Sequence, residues 1–402
     1  MNLSSIFSRV AHKQLVTVDL PDRGSNQHEL NGDNDLREFF GIRESTRGTL
    51  TWHYFSDDEA PVSESGNFTF YDAREKSASR TGRSEWRFYY EGKFLERANV
   101  GDWFLLVRAS SGDLFGLVFQ KNSGWLRAAR VLFGIERASL SFDAVPEEQL
   151  HQQTVALLQR QIIDELGLEV SVPAEPNDQQ LMLDRYGRIF PITKEMSTFA
   201  RTQVEVDPFS PDEALIRWLD REEQLFRALE NVIVGERLEK GFDSVDEFVA
   251  YSLSVQNRRK SRMGFALQNH LEELFTRHRL RFKAQSRTEG KTKADFIFPG
   301  EREYHNTAFE AGLLIMLGVK STSKDRWRQV LDEADRIPDK HLCTLEPAIS
   351  TNQTDAMRRR CLTLVIPDRL LLTYTRAQRR EIMNVQTFID LVLAKQRRNS
   401  QK

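Results

Sequence analysis

Short runs in which aromatic and β-branched residues alternate with polar ones follow one another between Gly48 and Arg137. Such alternation, interrupted by polar turns, is typical of β-strands with one buried face. The residues at 110–113 (SSGD) lie between two of these runs and have the composition of a hairpin turn. The pattern predicts an all-β domain of at least five strands, with the sequences TLTWHYF, NFTFYDA, EWRFYY, DWFLLVRA and DLFGLVFQ.

The period of the apolar positions becomes helical further along the chain. Residues 147–166 place apolar side chains at helical spacing, and a second long helical pattern opens at Ser210. Residues 171–211 between them contain scattered prolines, aspartates and asparagines with little periodicity. We therefore predict an N-terminal domain at residues 1–170, a hinge at 171–211 and a C-terminal domain at 212–402.

After Gly241, helical patterns alternate with buried-type strand patterns. Alternation of this kind is typical of an α/β domain. Two successive helices are predicted by SVDEFVAYSLSVQNRRKSRMG and FALQNHLEELFTRH. The strand candidates ADFIF, LLIMLGVKS, HLCTL and CLTLVIP predict a central mixed sheet.

The composition is that of a globular protein without a strong overall charge. With 402 residues, 40% of them hydrophobic, the chain can bury a substantial core. Its 57 basic and 59 acidic residues give a formal net charge of -2, so a surface that binds nucleic acid must be a local patch. Cys343 and Cys361 are expected to be reduced core thiols. The N-terminus lacks a signal-peptide pattern and no segment has membrane-spanning length, so we expect a cytoplasmic protein.

One set of residues has the chemistry for phosphodiester hydrolysis, which needs divalent cations, oxygen ligands and a positioned water. Asp295 begins a predicted strand, Lys320 ends another, and Glu333 follows on the next predicted helix. By spacing alone the signal is weak, because the chain has 59 acidic residues, and a solvated strand-end aspartate with a surface lysine is the alternative. The apolar run before Lys320 favours a functional role, because a charged residue at the end of a buried strand is best explained if its side chain points into a cleft.

The block from Lys240 to about Ile337 resembles the catalytic domain of EcoRII-type restriction endonucleases. The resemblance is carried by KGFDSVDEFVA, SVQNRRKSR, HLEELF, DFIFP and VKSTSKDRWRQVLDEADRI, and it extends more loosely to the end of the chain. It implies a PD-(D/E)XK nuclease in which the acid two residues before the lysine has migrated to the following helix. Position 318 is accordingly glycine. The resemblance implies Mg²⁺ as cofactor, with Asp295 and Glu333 as metal ligands and Lys320 as the catalytic lysine.

This sequence departs from the family pattern at two positions. Ala294 replaces the proline of the PD pair, which is expected to be harmless because the carboxylate binds the metal. Gln268 stands where the family has an upstream helix glutamate. Glu272, one turn later on the same flank, is predicted as an accessory metal or water ligand, whereas Glu273 points away. The alternative is that Glu272 is an ordinary surface residue.

A charged segment after Lys320 resembles the family's base-reading segment. Lysine and arginine donate to guanine in the major groove, and a carboxylate accepts from cytosine. The resemblance implies that Lys324, Asp325 and Arg326 read the CC:GG part of the site. An exposed helix start is the alternative. Trp327 is predicted to pack in the core. A basic run is predicted either to contact phosphate or to form a solvated helix end: Arg258, Arg259, Lys260 and Arg262.

The N-terminal domain resembles the DNA-binding pseudobarrel that EcoRII-type enzymes use as an effector domain. The resemblance rests on the strand pattern and the stretch RSEWRFYY. A basic loop is predicted to bind DNA through Arg74, Lys76, Arg80, Arg83 and Arg87. A solvated β-domain whose basic loop only tunes solubility is the alternative. The tryptophans of this region are predicted to lie in the core: Trp52, Trp86 and Trp103.

These observations lead to the hypothesis of an allosterically regulated type II restriction endonuclease. Its nuclease would cut double-stranded DNA at a CC/GG-containing, CCWGG-like site while the pseudobarrel binds a second copy of DNA. A palindromic site favours a homodimer, and restriction implies a cognate DNA methyltransferase. Two alternatives are a modification-dependent endonuclease and a non-cleaving DNA-binding regulatory protein.

Overall fold

The computed structural model divides the chain into two compact units, Met1–Val172 and Pro173–Lys402. We call them the first unit and the second unit. The structure describes residues 2–21, 28–41, 45–74, 84–152, 159–160, 162–163, 166–168, 176–289, 292–322 and 326–400.

The first unit is built on one sheet of eight strands, with order β2-β5-β4-β3-β7-β6-β1-β8. The strands are β1 Phe7–Gln14, β2 Glu29–Asn31, β3 Thr46–Phe55, β4 Val62–Asp72, β5 Trp86–Tyr90, β6 Trp103–Ala109, β7 Leu114–Phe119 and β8 Asp143–Ala144. The α-helices are α1 Asn34–Phe40, α2 Gly124–Phe133 and α3 Glu147–Gln152, and short 3-10 helices lie at Leu3–Ser5, Thr17–Asp19 and Phe94–Arg97.

The five strands predicted for this unit are confirmed as β3 to β7. β6 and β7 form the predicted antiparallel hairpin, whereas β3 and β7 pair in parallel. Trp52, Trp86 and Trp103 are buried, as predicted. β1 was not predicted, because a register shift between Phe7 and Arg9 breaks its alternation. Of the helix predicted at 147–166, α3 is present, and much of the remainder lies outside the described residues.

The second unit combines long helices with a five-stranded sheet. The helices are α4 Pro176–Tyr186, α5 Thr193–Thr202, α6 Pro211–Lys240, α7 Val245–Arg277, α8 Glu301–His305, α9 Trp327–Leu331, α10 Thr351–Arg359, α11 Asp368–Leu371 and α12 Val385–Ser400. The strands are β9 Lys283–Arg287, β10 Lys293–Phe298, β11 Ile315–Lys320, β12 Lys340–Thr344 and β13 Leu362–Val365, and 3-10 helices lie at Ala311–Leu313 and Gln378–Arg380.

The strand order is β13-β12-β11-β10-β9, which confirms the predicted mixed sheet. β11, β12 and β13 pair in parallel, while β9, β10 and β11 pair antiparallel. The four predicted strands are present. β9 was missed because it is a polar edge strand in which Ser286 alone is fully buried. Phe275 of α7 packs edge-on against Phe296 of β10, with ring centroids 5.2 Å apart, and so fixes α7 on the sheet.

The segment predicted as a hinge contains structured helices of the second unit. α4 and α5 lie within residues 171–211, and both pack on α6. Their apolar side chains form one buried cluster with α6: Met182, Met196, Phe199, Ala200, Leu225, Phe226 and Leu229. The sequence showed little periodicity here because each helix is only three turns long and contributes few buried positions.

A buried ionic network joins α6 to α7. Arg262 is 5% exposed and pairs with Glu222 and Glu223, and Glu222 also contacts His270 at 2.9 Å. Arg259 pairs with Glu230 at 2.7 Å. The prediction of a phosphate-contacting basic run is therefore wrong for Arg262, whose guanidinium is enclosed by acids that compensate its burial.

Two further predictions concern the cysteines and the membrane. Cys343 and Cys361 are both free thiols. Cys343 is buried as predicted, but Cys361 is exposed, because it lies in the turn just before β13 rather than within the strand. Among the described helices, none is long and apolar enough to cross a bilayer.

Candidate active site

The candidate site lies where the pairing of β10 with β11 stops. The antiparallel register pairs Phe296 with Leu317. Asp295 directly precedes Phe296 on β10, and here a side chain makes the contact between the strands. Asp295 Oδ2 accepts a hydrogen bond from the Val319 amide of β11 at 2.7 Å. The backbone of one strand thus fixes a carboxylate carried by its neighbour.

Lys320 and Glu333 complete a compact group around this carboxylate. Lys320 Nζ donates to Asp295 Oδ2 at 3.1 Å and lies 3.9 Å from Glu333 Oε1. All three side chains are largely buried, with side-chain exposures of 15% for Asp295 and Lys320 and 10% for Glu333. The structure therefore brings together Asp295, Lys320 and Glu333, which are far apart in sequence.

Glu333 lies two residues beyond the end of α9, which ends at Leu331. The prediction that it lies on the helix is therefore wrong: Asp332 is the C-cap, and Ala334 adopts a positive φ of 54° that turns the chain away. Burial raises the pKa of Glu333 to about 7, with the Asp295 charge adding to the rise and the Lys320 charge opposing it. Its Oε2 atom is buried without a hydrogen-bond partner.

Gly318 occupies the strand position two residues before Lys320. A Cβ atom built there would lie 2.9 Å from Cγ1 and 3.0 Å from Cγ2 of Val330. Val330 is fully buried and belongs to α9. The helix that leads to Glu333 therefore occupies the space that an acidic side chain on β11 would need.

A chain of amides connects the site to α7. Gln285 Nε2 lies 3.1 Å from Asp295 Oδ1 and 3.2 Å from Gln268 Oε1. Gln285 has a positive φ of 50°, an uncommon conformation for a residue with a side chain. Gln285 was not identified from the sequence because β9 was not predicted. The only indication of this strand in the sequence is the polar segment KAQSR, which precedes the DFIFP strand and was not assigned to any element.

Glu272 is not part of this chain of contacts. It lies one turn beyond Gln268 on α7, and its charge acts on Arg201 together with those of Glu273 and Glu222. Within the described residues, the contact from α7 to Asp295 runs through Gln268 and Gln285.

Part of this chain is similar to proteins of a known family. Residues 226–389 match the family model described as "EcoRII C terminal". This region is similar to the C-terminal part of EcoRII, and we call it the EcoRII-like domain. Over 230 residues, which are 57% of this chain, the sequence is 41% identical to the type II restriction enzyme EcoRII of Escherichia coli. The match spans 56% of that relative, so this chain corresponds to about half the length of the curated protein it matches.

Two solved structures show remote similarity. One is metal-depleted Ecl18kI in complex with uncleaved, modified DNA, with 16% identity and a TM-score of 0.46 over 56% of this chain and 86% of that chain. The other is a complex of restriction endonuclease PspGI with substrate DNA, with 17% identity and a TM-score of 0.43 over 51% of this chain and 93% of that chain.

The base-reading segment predicted for the EcoRII-like domain is described only in part. Lys324 and Asp325 lie outside the described residues. Arg326 is exposed and occupies the N-cap position of α9. Trp327, at the start of α9, is 2% exposed, which confirms its predicted core role.

The predicted basic loop of the first unit is also described in part. Lys76, Arg80 and Arg83 lie outside the described residues. Arg74 and Arg87 both pair with Glu85, and Arg87 also donates to the side chain of Asn31. These two arginines are therefore partly neutralised by an acid that the prediction left out.

The donors of the EcoRII-like site suit a hard divalent cation. Within the described residues, no cluster of three or more acidic, histidine or cysteine side chains could by itself hold a metal. Two carboxylates are nevertheless close together, and Glu333 Oε2 is a buried acceptor with no partner. Mg²⁺ keeps several water ligands and commonly uses one or two carboxylates together with substrate phosphate. Asp295 and Glu333 therefore fit magnesium better than a cation that needs a complete protein shell.

Proposed function

We propose that this protein is a type II restriction endonuclease that hydrolyses double-stranded DNA with Mg²⁺. The observation that carries the proposal is the Asp295–Lys320–Glu333 group, in which the lysine ammonium lies between two carboxylates. The match of residues 226–389 to the EcoRII C-terminal family model supports the same chemistry.

Each side chain has a distinct role in this proposal. Asp295 and Glu333 would hold the metal, with Asp295 oriented by the Val319 amide and by Gln285. Lys320 would donate to a phosphate oxygen or orient the attacking water. Bound magnesium would offset the charge that develops on the scissile phosphate and lower the pKa of a bound water. Two side chains of α7 are candidates for an accessory role: Gln268, which reaches Asp295 through Gln285, and Glu272, the ligand expected from the sequence.

The proposed target is a CC/GG-containing site of the CCWGG type. The support is the charged segment Lys324, Asp325 and Arg326, whose donors and acceptor match guanine and cytosine edges in the major groove. A palindromic target favours a homodimer. Cleavage of such a site in the host genome requires protection, so a cognate DNA methyltransferase is proposed as the functional partner.

The first unit is proposed as a DNA-binding pseudobarrel that regulates the nuclease. Its support is the eight-stranded sheet together with the basic residues that the sequence carries between β4 and β5 and at the start of β5: Arg74, Lys76, Arg80, Arg83 and Arg87. In this proposal, the first unit binds a second copy of DNA and changes the cleavage rate.

The test is cleavage of unmethylated and methylated plasmid by the full-length protein, with and without Mg²⁺. We expect Mg²⁺-dependent cutting of unmethylated DNA at discrete sites. Cutting of methylated DNA alone would instead show a modification-dependent endonuclease. Binding without cutting under every condition would show a regulatory DNA-binding protein and would overturn the proposal.

A further inference from the structure

Lys340 is a buried cation next to the candidate site whose role the sequence did not reveal. It begins β12 and is 5% exposed. Its Nζ donates hydrogen bonds to the carbonyl oxygens of Glu333 at 2.6 Å, Ala334 at 3.1 Å and Ile337 at 3.1 Å. An ammonium group has three N–H donors, so all of them are used on one turn of backbone.

The turn that Lys340 binds carries the Glu333 carboxylate. α9 ends at Leu331, so no helix continues through Glu333. Ala334 has a positive φ of 54°, which is unfavourable for a residue with a Cβ atom. The backbone of an acid at position 318 would be fixed by the pairing of β11 with its neighbouring strands. Glu333 lies outside every strand, so its backbone must be fixed by other contacts.

Arg336 attaches the other side of the same turn. Its guanidinium donates to the carbonyl oxygens of Glu303, Tyr304 and Phe309, in and after α8. The segment from Glu333 to Ile337 is therefore held on one side by Arg336 and on the other by Lys340. Of these two cations, Lys340 is the one that bonds the Glu333 backbone directly.

We propose that Lys340 is a positioning residue that fixes Glu333 for metal binding. This inference rests on the proposed function. The reason is the location of the acid. A carboxylate on β11 would be held in place by strand pairing, whereas Glu333 lies in a turn outside the sheet. Three charge-assisted hydrogen bonds from Lys340 hold that turn instead. Partners of this kind, which orient a metal ligand without touching the metal, typically contribute 10–100-fold to metal affinity.

The test compares Lys340→Met with Lys395→Met in the full-length protein. Lys395 is the control, because it is a half-buried lysine that also donates to a backbone carbonyl, that of Leu314 at 3.4 Å, before the start of β11. Two quantities are measured: the Mg²⁺ concentration for half-maximal plasmid cleavage, and Mn²⁺ binding to the protein, followed as free Mn²⁺ by electron paramagnetic resonance. We expect Lys340→Met to raise both midpoints about 10–100-fold, with Lys395→Met close to wild type.

Thermal unfolding followed by circular dichroism checks that each variant is folded. If Lys340→Met does not fold, Lys340→Gln is measured against the same criterion. A folded Lys340 variant with both midpoints within about threefold of wild type would overturn the positioning role alone, as would an equal shift in Lys395→Met. Wild-type protein that neither cleaves DNA nor binds Mn²⁺ would overturn the proposed function as well.

Discussion

The Val330 side chain packs closely against the position where a Cβ atom on Gly318 would lie, with its two methyl carbons 2.9 and 3.0 Å from that position. Val330 is fully buried, so it has little room to move. The glycine at position 318 and the location of Glu333 therefore both depend on how α9 packs. α9 packs against β11 closely enough to exclude a side chain at 318, and the same helix leads to Glu333.

This packing predicts the effect of Gly318→Ala. The added methyl group overpacks the contact with Val330 and should lower the free energy of unfolding by about 1–3 kcal/mol. Gly235→Ala is the matched control, because a Cβ there meets nothing within 4 Å and alanine in a helix should stabilise by about 0.5–1 kcal/mol. Urea denaturation measures both. A Gly318→Ala protein as stable as wild type would show that α9 adjusts freely.

Removal of the Asp295 or Lys320 charge should abolish DNA cleavage without abolishing DNA binding. We expect Asp295→Asn and Lys320→Met to lower the cleavage rate by at least about 100-fold, because both groups serve the reaction more than docking. DNA binding measured in Ca²⁺ should remain close to wild type. Glu273→Gln is the control, since Glu273 pairs with Arg277 and Arg201 outside this group. Efficient cleavage by either central variant would remove the proposed centre.

The raised pKa of Glu333 predicts a pH-dependent metal requirement. Burial raises this pKa to about 7, so the carboxylate is largely protonated below pH 7 and ionised above it. Because a metal binds the ionised form, the Mg²⁺ concentration for half-maximal cleavage should fall as pH rises from 6 to 8. A constant midpoint across this range would contradict the assignment of Glu333 as a ligand.

The same pKa shift predicts the metal-free stability. A carboxyl group with a raised folded-state pKa stabilises the fold below its ordinary pKa, and this contribution is lost as pH rises through about 7. Relative to Glu333→Gln, wild type without metal should therefore lose at most about 2–3 kcal/mol between pH 5 and pH 8. Urea denaturation of both proteins at the two pH values measures the difference.

The role of the α7 side chains can be decided by paired substitutions. Gln268 reaches Asp295 through Gln285, whereas the Glu272 charge acts on Arg201. Gln268→Ala should therefore raise the Mg²⁺ requirement more than Glu272→Ala does. The measurement is the Mg²⁺ dependence of cleavage for both variants and wild type. The opposite order would restore Glu272 as the accessory ligand predicted from the sequence.

The sequence predicted the elements with strong periodicity and missed those fixed by tertiary contacts. The apolar run of β10 begins after Asp295 and that of β11 ends at Lys320, so the meeting of these two charged residues at neighbouring strand ends could be expected. β9 is a polar edge strand, so Gln285 could not be found. Lys340 could not be assigned either, because its donors bind backbone carbonyls, which leave no pattern in the side-chain sequence.

The last prediction separates base reading from regulation. Arg326 is exposed at the N-cap of α9, close in sequence to Lys320, whereas the loop containing Arg80 and Arg83 belongs to the first unit. Loss of a bidentate contact to guanine costs about 1–3 kcal/mol of discrimination. Arg326→Ala should therefore reduce cutting at the cognate site by about 10–100-fold, on plasmids with one site and with several sites alike.

Substitution of Arg80 and Arg83 by alanine should act differently, because these side chains are proposed to bind a second DNA copy rather than the DNA being cut. Cutting of a single-site plasmid should change little, while the difference between single-site and multi-site plasmids should shrink. Cleavage rates of wild type, the loop variant and Arg326→Ala on both plasmids measure the two effects. If the loop variant and wild type show the same ratio of rates, the first unit is not an allosteric effector, and its sheet and basic loop require another function.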